Sequence, residues 1–206
     1  MDNKKIEIIG LFPTPVYRSN LNREFNKKEK LFFEDSFKNL RDNTGNIMSL
    51  DSYILENKIL SKLKNELHVI LKDYFDKIVQ PSDNVTPHIT QSWLNLTEKN
   101  QYHHQHTHSN SIVSGVIYIK ASKDEINFHS QRYNNLSFNR KEYNEFNSEL
   151  WSLPVNTGDI ILFPSSLSHS VPVKQTEDLR ISLSFNTFVK GVLGDIHHKT
   201  ELKINE

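Results

Sequence analysis

The chain has 206 residues, with 25 basic and 25 acidic side chains and no cysteine. Balanced charge gives no pull toward nucleic acid or an anionic membrane surface, and the absence of cysteine excludes disulfides, a thiolate nucleophile, iron–sulfur clusters and Cys-type zinc sites, so any metal must be held by histidine and carboxylate. No run of about 18 apolar residues occurs and Met1-Asp2-Asn3-Lys4-Lys5 opens no apolar leader, so one cytoplasmic domain is expected (host cytoplasm if the chain is phage-encoded).

Residues 6–17 are apolar and β-branched, interrupted by Gly10, Pro13 and Pro15, which predicts a first strand at a sheet edge. Residues 22–41 place Phe33, Phe37 and Leu40 on one face of a surface helix. A second helix is predicted over 56–79, where Leu60, Leu63, Leu67, Ile70, Leu71, Tyr74 and Ile78 follow helical spacing until Pro81 stops them.

Beyond Pro87 the period changes to two. Strands are predicted over 89–97, 111–120, 125–128, 150–153, 159–163, 169–173 and 179–189, a set that fits a barrel or sandwich. The domain is therefore α+β and mainly β, with a helical part at about 20–80 and a β core at about 88–190. Residues 131–148, rich in Asn and carrying Tyr133, Phe138, Tyr143 and Phe146 without periodicity, form a candidate substrate loop. The polar tail 195–206 is expected to fray.

Four histidines fall within His103-His104-Gln105-His106-Thr107-His108. In extended backbone, His106 and His108 point the same way and can offer two imidazoles to one metal ion. A solvated polar loop is the competing reading, to which His103 and His104 belong unless they support the ligands from behind. A third imidazole is available at His169, after the tight turn and buried strand of Gly158-Asp159-Ile160-Ile161-Leu162-Phe163-Pro164. Farther on, Leu179, Ile181, Leu183 and Phe185 alternate with Arg180, Ser182, Ser184 and Asn186. That polar row either faces water or lines the inside of a barrel, where Arg180 would meet a carboxylate as a planar fork and Ser182 would add a hydrogen bond.

Taken in order, the H-x-H, Ser114-Gly115-Val116-Ile117-Tyr118, Gly158–Ser165, His169 and Arg180-Ile181-Ser182-Leu183-Ser184-Phe185-Asn186 resemble a bacterial and phage group of 2-oxoglutarate–Fe(II) oxygenases. Leu11-Phe12-Pro13-Thr14-Pro15-Val16-Tyr17 and Ser92-Trp93-Leu94-Asn95 match its pattern too, so the resemblance spans almost the whole chain. It implies a double-stranded β-helix of jelly-roll or cupin-like form, with the N-terminal helices packed on the outer sheet. Metal ligands at His106, His108 and His169, and a cosubstrate site at Arg180 and Ser182, are also implied. The wider superfamily carries Asp or Glu where His108 stands, which makes this site one unit more positive. Asp124 and His129 are alternative ligands.

The implied reaction consumes 2-oxoglutarate and O2 at Fe(II), releases succinate and CO2, and hydroxylates an amino acid side chain, a peptide or a small metabolite. Tyr118 is either a cosubstrate contact or a core aromatic, and Trp93 and Asn95 share a strand face that lines either pocket or core. Two rival readings stay open: a three-histidine cupin-like oxygenase that needs no 2-oxoglutarate, and a non-catalytic binding or structural module on the same fold. A homodimer is compatible with each.

Overall fold

The computed structural model describes residues 6–130, 136 and 138–205. Its core is two antiparallel sheets between which the chain alternates. The large sheet holds β1 (Tyr17–Asn20), β2 (Leu40–Asp42), β3 (Ile47–Ser49), β4 (Val85–Thr97), β6 (Val113–Lys120), β9 (Asp159–Pro164), β11 (Arg180–Leu193) and β12 (Leu202–Ile204). The small sheet holds β5 (His103–His106), β7 (Asp124–His129), β8 (Leu150–Val155) and β10 (His169–Val171). Strand orders are β1-β9-β6-β11-β4-β3-β2, with β12 also on β11, and β5-β10-β7-β8. Strands that change sheets along the chain while the ladders between them stay antiparallel make a double-stranded β-helix.

Two helices cover the outside of the large sheet: α1 (Lys27–Ser36) and α2 (Ser61–Tyr74). Asn26 caps α1 through the amides of Lys28 and Glu29, and Glu29 returns a carboxylate to the Asn26 amide, satisfying donors that a helix start leaves free. Leu63, Leu67 and Leu71 of α2 pack in one buried cluster with Leu94, Ile117, Ile160, Leu162, Leu183 and Phe185 of the sheet. The opposite face turns into the roll, where Val116, Tyr118, Ile161 and Phe163 meet Ile126, Phe128 and Val155. Because both faces of β9 are covered, Ile160 to Phe163 is apolar throughout rather than alternating. Gly115 is required by that packing, since a Cβ there would lie 2.1 Å from Phe185 Cζ. Leu67 is fully buried, so Leu67→Ala is expected to cost about 2–5 kcal/mol, measured by urea denaturation.

Several boundaries differ from the sequence reading. Residues 6–16 form no ladder, and Ile6, Ile8, Ile9, Leu11 and Phe12 are exposed; the strand begins at Tyr17 and pairs with β9. The helix expected over 22–41 is only α1, because Phe37 is its C-terminal cap and Leu40 starts the β2–β3 hairpin. The helix expected over 56–79 consists of a 3-10 turn, α2 and a π turn that ends at Gln80 in left-handed conformation. The tail does not simply fray, since Leu202–Ile204 pairs with Gly191–Leu193. The candidate substrate loop is described only at 136 and 138–148, with residues 131–135 and 137 outside the described set.

Candidate metal and cosubstrate site

The histidine cluster is itself a strand. β5 pairs with β10 so that His169 lies directly opposite His106, and His108 follows just past the strand end. Direct cross-strand partners hold their Cβ atoms about 4.5–5.5 Å apart, so register alone brings His106 and His169 together. Their rings are 4.3 Å apart, and the His108 ring is 5.0 Å from His106 and 5.1 Å from His169. Donor nitrogens of all three lie within 4.8 Å of one another.

Hydrogen bonds decide which nitrogens are free. His106 Nδ1 donates to the His104 carbonyl at 2.8 Å, His169 Nδ1 to the Leu167 carbonyl at 2.9 Å, and His108 Nδ1 to Asn186 Oδ1 at 2.6 Å. Each ring therefore carries its proton on Nδ1 and keeps a lone pair on Nε2. The Nε2 atoms of His106 and His108 face each other at 3.2 Å. Two bare lone pairs at that distance repel unless a cation sits between them, so the donor set fits a first-row divalent metal.

Burial pushes the imidazoles down from 6.5: His169 to about 3 and His106 to about 4, with the neighbouring imidazoles adding to the effect, and His108 also lower. His103, which is stacked on His106 at 4.5 Å, falls to about 3 for the same reasons. Unfolded histidine takes a proton near 6.5 whereas these folded imidazoles resist it until about 3 to 4, so the unfolded state binds more protons between those values. The metal-free protein is accordingly expected to hold its full stability above about pH 6.5 and to lose it progressively as pH falls toward 4. Urea midpoints measured in chelator across pH 4–7.5 check this, and a flat profile would contradict it. Bound metal excludes the same protons and steepens the acid loss.

His103 and His104 also bring donor nitrogens near His106, but the Nδ1 of His106 is committed to a carbonyl and its Nε2 faces His108. His103 instead lines the pocket, with its Nε2 3.3 Å from the Asn43 amide. The two alternative ligands are placed elsewhere. Asp124 is buried against Lys174 Nζ at 3.2 Å, and His129 Nε2 bonds Ser170 Oγ at 2.8 Å.

The polar row of β11 faces into the roll, because its apolar partners Leu183 and Phe185 are spent on the helix-covered side. Arg180, Ser182 and Ser184 line one pocket with the three histidines, Trp93, Asn95 and Tyr118. Strand register sets Ser182 between Asn95 and Tyr118. Arg180 is only 3% exposed, yet among the described residues no carboxylate pairs with it. Its Nη1 reaches the Glu125 carbonyl only at 3.4 Å, its carbon lies 5.2 Å from the centre of the Tyr118 ring, and its Nε has no partner. Tyr118 Oη and Asn95 Oδ1 are likewise buried without partners. Burial holds the Tyr118 phenol up at about 12 against the opposing charge of Arg180, so it is a hydrogen-bond donor at neutral pH. A buried guanidinium, a phenol and a free amide oxygen are costly to leave unsatisfied, and the two donors fit a carboxylate.

Fold and site together place three converging imidazoles that could hold a metal ion and one buried guanidinium in a single pocket. Residues 91–186 match the family model described as "Putative 2OG-Fe(II) oxygenase". The matched stretch holds His106, His108, His169 and Arg180.

Solved structures share the fold at low identity. An oxidoreductase of the 2OG-Fe(II) oxygenase family from Burkholderia pseudomallei aligns with a TM-score of 0.59 at 14% identity, over 84% of this chain and 83% of that one. HygX from Streptomyces hygroscopicus, with nickel, 2-oxoglutarate and hygromycin B bound, gives 0.55 at 14% identity, over 84% and 82%. A prolyl-4-hydroxylase from Pseudomonas putida gives 0.56 at 11% identity, over 84% and 92%. No curated protein matches. No helix among the described residues is long and apolar enough to cross a membrane.

Proposed function

We propose that His106, His108 and His169 hold Fe(II) through Nε2, that Arg180 binds the far carboxylate of 2-oxoglutarate with help from Tyr118 and Ser182, and that Asn95 borders the same cosubstrate. The observation that carries this is one pocket containing both the converging Nε2 atoms and an Arg180 with no carboxylate partner among the described residues. The helical part and the β-helix act as one unit, because the same apolar cluster joins α2 to the back of the strand that carries Arg180.

Bound Fe(II) with 2-oxoglutarate and O2 supplies the oxidising power, and succinate and CO2 leave as coproducts. What the chain itself does is orient and exclude. Acceptors behind each imidazole fix the ring, and Arg180 and Tyr118 set the cosubstrate's direction. Val116, Ile126 and Phe163 keep water from the inner wall.

The substrate we propose is a peptide or amino acid side chain, or a small metabolite, that becomes hydroxylated. A hygromycin-bound HygX and a prolyl-4-hydroxylase on the same fold support both classes. The segment around Phe138, Tyr143 and Phe146 is exposed, as are Leu150 and Trp151 beside it, and this apolar edge would receive the substrate. Anaerobic titration tests the reading. A visible charge-transfer band should require both Fe(II) and 2-oxoglutarate, and air should then release succinate. Fe(II) binding with no band on addition of 2-oxoglutarate would favour the cupin-like alternative, and a band without succinate release the non-catalytic one.

A further inference from the structure

Two of the three converging imidazoles are fixed by main chain, and one is not. His106 and His169 donate to carbonyl oxygens. A carbonyl can only accept, so their Nε2 atoms are bare by necessity. His108 meets a carboxamide instead, and a carboxamide can present either end. Turned over, the Asn186 NH2 would donate to His108 Nδ1, the ring proton would move to Nε2, and the lone pair facing His106 would be lost.

In the structure Asn186 presents its oxygen, not its NH2, to His108. Ser114 Oγ donates to the same Oδ1 at 3.2 Å and lies 2.8 Å from Ser165 Oγ, which lies 2.7 Å from Ser111 Oγ. Asn186 is 8% exposed and sits where the β4–β11 register shifts, between Asn186 and Thr187. Such irregularities re-aim side chains; here Asn186 ends up behind His108.

We infer that Asn186, held by Ser114, is a positioning residue that fixes His108 as the Nδ1–H tautomer and so completes a three-imidazole metal site. This rests on His106, His108 and His169 being the ligands. A neutral acceptor in that place also leaves the imidazole less electron-rich than a carboxylate would, which sets how tightly the site holds its metal.

The full chain, stripped of metal, is titrated with Co(II) while its visible d–d bands are followed. Asn186→Leu, which offers no acceptor, is expected to weaken Co(II) binding about 10–100-fold while far-UV circular dichroism stays that of the wild type. Asn186→Asp should bind at least as tightly as the wild type with its bands displaced, and Ser114→Ala should fall between the wild type and Asn186→Leu. Unchanged affinity and spectrum in Asn186→Leu would overturn the inference. If that variant does not fold, Asn186→Asp decides: binding weaker than the wild type overturns it. A wild type that takes up no Co(II) is a different failure and removes the ligand reading underneath.

Discussion

His106→Ala and His169→Ala are expected to yield folded proteins that retain no Fe(II) and release no succinate. Each removes one of the three proposed ligand nitrogens, and the nearest spare imidazole, His103, has its Nε2 3.3 Å from the Asn43 amide. His129 is tied to Ser170, and Asp124 is neutralised by Lys174. If the ~10–16 kcal/mol of a four-ligand zinc site is shared evenly, one ligand is worth about 3 kcal/mol, or more than 100-fold in affinity. At micromolar iron that loss empties the site. Metal analysis after gel filtration reads the result, with circular dichroism as the folding control. Full iron occupancy in either variant sinks the assignment. Both histidines are partly or fully buried and each donates to a backbone carbonyl, so each metal-free variant is expected to lose some stability through the cavity and the lost hydrogen bond.

Arg180→Ala is expected to raise the 2-oxoglutarate requirement steeply while leaving Fe(II) affinity unchanged. The guanidinium is buried, lies on Tyr118 and has no carboxylate partner among the described residues, so a bound dicarboxylate would form a full ion pair with it. Truncating one partner of such a pair costs about 2–5 kcal/mol, corresponding to a loss of roughly 30-fold to several thousand-fold. Arg180→Lys should recover only part of this, because an ammonium cannot match a planar fork. The measurement is the apparent KM for 2-oxoglutarate beside a separate Fe(II) titration. Unchanged cosubstrate affinity in Arg180→Ala would return the cupin-like reading to favour.

Legibility differed from element to element for physical reasons. β11 could be read directly, since strict alternation over Leu179 to Asn186 survives in a strand whose two faces meet different surroundings. β5 could not: with four polar residues it shows no apolar period, and pairing with β10 makes it a strand. The same applies to the β2–β3 hairpin and to β12, which are short edge segments fixed by neighbours remote in sequence. Residues 6–16 have β-prone composition but no partner to pair with among the described residues.

By itself the sequence determined the chemical inventory: no thiol, a dense group of imidazoles, one arginine in an inward-capable row and the order of helices before strands. Composition and period are local properties, and they suffice for that. Only the tertiary structure decided that His106 stands opposite His169, that Arg180 has no acid beside it among the described residues, and that Asn186 rather than a carboxylate stands behind His108. Those are relations across 60 to 80 residues of chain, set by strand register and by which faces the helices cover, and no local pattern encodes them.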